Sequence, residues 1–117
     1  MNKNHREQNL EELRILKNTL FIFKAAIFFK NKNKCAGYEQ DVERINCLVT
    51  KIKNDIYKIE YLLDKDDERL LKLKQKKYSD MTSKLKKILV FISKIKDKEM
   101  KEFASSKIDD IIYKMNN

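Results

Sequence analysis

The chain contains no proline, and Gly37 is its only glycine in 117 residues. Hairpins, tight turns and sheet edges draw on these two residues for positive φ and for chain reversal, so their scarcity disfavours a β or α/β fold. Long helices need neither. The length lies within the roughly 100–150 residues typical of one domain, which predicts a single folding unit over residues 1–117.

The apolar residues repeat at alternating spacings of three and four, which keeps a stripe on one face of a helix, as in bundles and coiled coils. Leu13, Leu16, Leu20, Phe23 and Ile27 form one row; Tyr38, Val42, Ile45, Val49, Ile52, Ile56, Ile59 and Leu63 form a second. A third runs Tyr78, Met81, Leu85, Ile88, Ile92, Ile95, and a fourth, looser one uses Met100, Phe103, Ile108, Ile111 or Ile112, and Met115. The first two rows join through Asn31 and Cys35, with Gly37 as a weak point or kink, because glycine costs about 1 kcal/mol relative to alanine inside a helix. Asp64, Asp66, Asp67 and Glu68 read as the acidic first turn of a new helix, and Asn54–Asp55 offers a second possible start. Asp97 reads as part of a last turn. The expectation is an all-α, elongated, three-helix up-and-down bundle with coiled-coil-like packing: one helix from 8 to 53 or 63, one to about 95, and one over 98–115. A first helix of about 45 residues would extend about 67 Å.

Charged residues make up 38% of the chain against 42% apolar, the ratio of a narrow apolar stripe backed by a wide solvated face. The net charge of +9 belongs mainly to residues 69–98, where 11 lysines and arginines meet only Asp80 and Asp97. Cys35 and Cys47 would stand about 18 Å apart on one continuous helix, beyond disulfide reach, which predicts reduced, buried or half-buried thiols in a cytosolic or nuclear protein, with a cytoplasmic location expected. Glu7, Glu11 and Glu12 precede the first apolar run, so no secretory signal is predicted. Leu20–Phe29 carries Lys24 and is about half the length needed to span a bilayer, so no membrane insertion is expected.

No enzymatic constellation emerges. His5 is the only histidine and sits in a polar segment, where a solvated side chain is its ordinary reading. The cysteines lack the spacing of a zinc site, and no glycine-rich loop exists to cradle a phosphate. The chain is therefore expected to be non-catalytic, with no cofactor and no metal.

Two surface features carry more. Lys72, Lys74, Lys76, Lys77, Lys84, Lys86 and Lys87 form a basic collar that either faces solvent and acidic partners or neutralises the phosphates of a nucleic acid. The segment Leu20–Phe29, LFIFKAAIFF, is apolar all round: Leu20, Phe23 and Ile27 lie on the seam, Phe21, Ala25 and Phe28 on another face, and Ile22, Ala26 and Phe29 on a third. Such a segment is either covered all round or offers a patch to a partner or a second copy.

Phe23, Lys24, Ala25, Ala26, Ile27 and Phe28, followed by Lys30, Tyr38 and Asp41, resemble the first-helix pattern of tubulin-binding cofactor A, a family of small three-helix rods. Glu102, Phe103, Lys107 and Ile108 are similar to the acid-aromatic, basic-apolar pattern of its third helix. Asn31 and Lys34 depart from the family's leucine and glutamate, and its second-helix proline is missing here. The resemblance implies a chaperone that holds β-tubulin on the way to the αβ heterodimer, binding through helix faces without nucleotide. The expected function is thus a protein-binding module, with nucleic-acid binding or a structural role in a larger helical assembly as alternatives and a homodimer possible. The candidate partner-binding residues are Phe21, Phe28, Phe29, Lys24, Lys30, Tyr38, Lys74, Lys76 and Lys77.

Overall fold

The computed structural model describes residues 3–30, 36–64 and 69–116. Four helices run through them: α1 (Lys3–Ala25), α2 (Glu39–Asp64), α3 (Leu70–Ser93) and α4 (Lys98–Asn116), with a π-helical turn, Ala26–Lys30, continuing α1. No strand occurs among the described residues. The all-α class agrees with the sequence expectation, and the count of three helices does not.

The difference lies in the first helix, which is two. Residues 36–37 form a turn, Gly37 takes φ +89°, and a new helix begins at Glu39. That φ belongs to the left-handed region, which a residue with a Cβ enters only at a cost, so the lone glycine marks a reversal and not a kink. An apolar seam with steps of three and four is the same on one long helix and on two antiparallel helices that show their stripes to a common core. Asn31 and Cys35, through which the seam was to pass, lie outside the described residues. The backbone N–H of Val42 donates to the Tyr38 carbonyl at 2.9 Å, opening the helical ladder. Glu39 Oε1 accepts the Gly37 N–H at 3.0 Å, and that bond, with the residue's own amide, holds its carboxyl below the usual carboxylate range.

α2 continues through Asn54 and Asp55, so no helix starts there. Asp66, Asp67 and Glu68 lie outside the described residues. Asp97 begins α4 instead of ending α3: its Oδ1 accepts the Met100 N–H at 2.8 Å and its carbonyl accepts the Lys101 N–H at 3.0 Å, an N-cap geometry.

The helices pack up-down-up-down around a square, each against its sequence neighbours, with α1 and α4 closing the ring. Paired side chains show the antiparallel registers. Lys17 on α1 meets Glu60 on α2 at 2.6 Å, while on α2 and α3 Asp55 meets Lys84 and Asp41 meets Lys94. The molecule measures 49 × 21 × 20 Å with a radius of gyration of 15.2 Å. A compact domain of this length has about 13 Å, so the bundle is elongated, though far shorter than a 45-residue helix would make it.

All five residues of the first apolar row are buried, as are Ile45 to Leu63 of the second row and every member of the third. Tyr38 and Val42 pack half-buried against this core. In α4 the inward positions are Met100, Ala104, Ile108, Ile111 and Met115, so Ala104 takes the place the spacing assigned to Phe103. Phe103 is 45% exposed.

Two part-buried polar clusters link helices at the margin of the core. Asp55, 5% exposed, accepts a hydrogen bond from Lys84 at 2.6 Å and lies 3.6 Å from Lys77. Near one end, the Tyr78 hydroxyl donates to Glu12, and Lys74 donates to Asn9 at 2.6 Å while lying 3.5 Å from Glu12. Burial, and then the hydrogen bond and charge of Glu12, push the Tyr78 hydroxyl well above its ordinary value.

Three outcomes test this arrangement. Gly37→Ala should cost about 1 kcal/mol in urea melts by strain alone, since a Cβ there meets nothing within 4 Å, and Gly37→Asn should recover most of it. Asp55→Ala should cost about 1.5–3 kcal/mol, because it leaves two half-buried lysines without their shared carboxylate. For Tyr78 the folded state holds the proton more tightly than the unfolded state. Its contribution is therefore complete below about pH 10 and is lost as pH rises above that value, so denaturant melts at pH 8 and pH 11 should show a smaller alkaline loss in Tyr78→Phe than in the parent.

Candidate functional site

The aromatic segment divides. Phe23 and Ile27 are fully buried on the seam, Ala26 is buried at 3% exposure, and Phe28 packs half-buried against the core. α4 lies against both α1 and the π-helical turn, which supplies the cover. Phe21 and Ile22 remain outside, at 67% and 44% exposure. Phe21 and Phe28 therefore do not form one exposed patch, as their seven-residue spacing on an ideal helix suggests. The side chains of Phe29 and Lys30 lie outside the described residues.

Phe21 stands at a groove between α1 and α2 of about 380 Å³, lined by Lys17, Asn18, Leu20, Phe21, Lys24, Val49, Lys53 and Tyr57. Leu20 and Val49 are core residues that form its floor, and Tyr57 is 53% exposed opposite Phe21. Phe21 and Lys24 are candidates from the sequence; Tyr57 and Lys53 are not. Both stand on the solvent side of α2, and they reach Phe21 only because α2 folds back along α1.

The lysine collar also divides. Lys74, Lys77 and Lys84 turn toward Glu12 and Asp55 and are part of the inter-helix contacts. Lys72, Lys76, Lys86 and Lys87 are exposed, and at about 100° per residue they fall within an arc of about 100° on α3. The outward lysines thus make a stripe, and Lys76 is the one candidate among Lys74, Lys76 and Lys77 that belongs to it. Tyr38 is half-buried against the core at the start of α2.

Two shallower grooves flank these surfaces. One, between α1 and α4, is lined by Glu7, Gln8, Glu11, Glu12, Ile15, Tyr113 and Lys114. The other, between α2 and α3, includes Arg44, Cys47, Leu48, Lys87 and Phe91, with Arg44 and Lys94 over the Phe91 ring at 5.8 and 5.4 Å. Cys47 is free and exposed, contrary to the buried or half-buried thiol expected of it, because it falls on the α2 face opposite Ile45 and Val49. Cys35 lies outside the described residues. No group of three His, Cys, Asp or Glu side chains able to hold a metal occurs among the described residues, and no described helix is long and apolar enough to cross a membrane.

No protein-family description matches the chain, and no curated protein or solved structure is measurably similar to it.

Proposed function

We propose that the protein is a non-catalytic helical module that binds another protein through the α1–α2 face. The observation that carries this reading is the exposure of Phe21 and Tyr57 beside a groove whose floor is already core. The seam residues of α1 and α2 complete the interior without either ring, so neither is needed to cover it. Solvent-facing aromatics around an apolar depression are the composition of a binding hot spot.

The resemblance of Phe23–Phe28, Tyr38 and Asp41 to tubulin-binding cofactor A supplies β-tubulin as the named partner to test first, with the protein acting as a cytoplasmic chaperone. The four-helix topology departs from the three-helix rod which that resemblance implies. A nucleic-acid reading has one observation in its favour, the outward stripe of Lys72, Lys76, Lys86 and Lys87.

The two readings use different faces and separate cleanly by variant. Capture of β-tubulin should fall at least about tenfold in Phe21→Ala, with a melting temperature near the parent's, because a ring two-thirds exposed contributes little to folding. Phe23→Ala should instead lose about 3–5 kcal/mol of stability. Steeply salt-dependent nucleic-acid binding abolished by Lys76→Glu with Lys87→Glu, together with no β-tubulin capture, would reverse the ranking.

A further inference from the structure

The α1–α2 groove has an ordered pattern along its length. The Lys17–Glu60 contact sets the antiparallel register, so moving along α1 by seven residues and back along α2 by seven brings Lys24 opposite Lys53. By the same register Phe21 stands beside Tyr57, both lining the groove. One end is therefore neutralised by Glu60, the middle carries two rings, and the other end carries two lysines.

Those two lysines face each other without an acid. No carboxylate lines the groove, and neither Lys24 nor Lys53 makes an ion pair among the described residues. Both are only partly exposed and flank the apolar surface of Leu20 and Val49. Like charges held across an apolar floor repel more strongly than they would in open water, and an incoming carboxylate between them turns that repulsion into two attractions. Elsewhere in this molecule facing positions are used differently: Lys77 and Lys84 converge on Asp55, and Lys74 on Glu12.

We propose that this groove takes an acidic amphipathic helical segment of another protein, whose apolar residues pack between Phe21 and Tyr57 and whose carboxylate sits between Lys24 and Lys53. The inference rests on the protein-binding reading above and adds the chemistry of the partner. The ring pair and the lysine pair are separated by three to four residues on each helix, about 5 Å along the axis, or one helical turn. A helical ligand therefore needs an apolar side chain and an acid three or four positions apart, on one face.

A second copy of this chain carries a face of related character. Glu99, Glu102, Asp109 and Asp110 are exposed on α4 with Phe103 and Tyr113, within an arc of about 120° at 100° per residue. A net charge of +9 on each copy opposes that pairing, whereas it favours an acidic partner.

The test uses a labelled synthetic helix of about four turns, with leucines and glutamates placed on one face at the i, i+4 spacing, and a twin in which every glutamate is glutamine. Each is titrated into the full chain by fluorescence anisotropy at two salt concentrations, with nuclear magnetic resonance shifts locating the contact. The glutamate helix should bind at least about tenfold more tightly than the glutamine twin at low salt, shift Phe21 and Tyr57, and lose that advantage in Lys53→Glu and in Lys24→Gln. Lys72→Glu, on α3, should leave it unchanged. Equal binding of both helices at the groove would overturn the acidic specificity, and binding of neither would overturn the acidic helical occupant; the protein-binding reading itself stands or falls by β-tubulin capture. A loss in Lys72→Glu as large as in Lys53→Glu would reduce the effect to net charge and overturn the proposal. Sedimentation of the free chain closes the remaining route: concentration-dependent self-association abolished by Phe21→Ala would make the occupant a second copy.

Discussion

Every other feature of this molecule depends on four apolar stripes meeting along one axis. Each helix shows a single row to the interior, and none could bury that row alone: an isolated amphipathic helix in water gains too little to offset the ordering of its backbone. The stripes are narrow, because nearly as many residues are charged as apolar. Here each helix packs against two neighbours in the ring, so its stripe is closed in from both sides. The buried rows from Leu13 to Met115 are the consequence.

Apolar stripes are tolerant of sliding, and the polar contacts that cross between helices are what restrict it. Asp55 with Lys77 and Lys84 ties α2 to α3, and Tyr78 and Lys74 with Glu12 tie α3 to α1 across the ring. A one-residue slip would leave a buried carboxylate or hydroxyl without its partner, and such an orphan is more costly than the pair is stabilising. No buried side-chain nitrogen or oxygen among the described residues lacks a partner. These same contacts absorb part of the basic charge, so the excess that reaches solvent is smaller and better ordered than the lysine-rich sequence suggests.

The outward surface inherits an asymmetry from this. On α1 the residues toward α4 include Glu7, Glu11 and Glu12, and those toward α2 include Lys17 and Lys24. One helix therefore borders an acidic groove and a basic one. The aromatic pair lies in the basic groove, and the α3 lysine stripe is a separate surface. The face proposed to bind a partner is thus separate from the lysine stripe.

The helical class and nearly all of the interior were legible in the residues, because burial on a helix leaves a periodicity that any reader can count: the rows from Leu13 to Ile27, Ile45 to Leu63 and Tyr78 to Ile95 are the core. The same periodicity is silent about chain direction; the break at residues 36–37, where Gly37 takes positive φ, and the packing of α2 back on α1 divide the first long row between two antiparallel helices. Ala104 displaced Phe103 because at about 100° per residue it falls within the arc of Met100, Ile108, Ile111 and Met115, whereas Phe103 falls about 60° outside it. The candidate site was legible only in part. Phe21 and Lys24 stand out from the sequence around them, but Tyr57 and Lys53 read as ordinary solvent-facing residues of another helix. Local spacing is written along the chain and so can be read there; the groove is a contact between residues about thirty positions apart, and only the reversal that lays α2 on α1 brings them together.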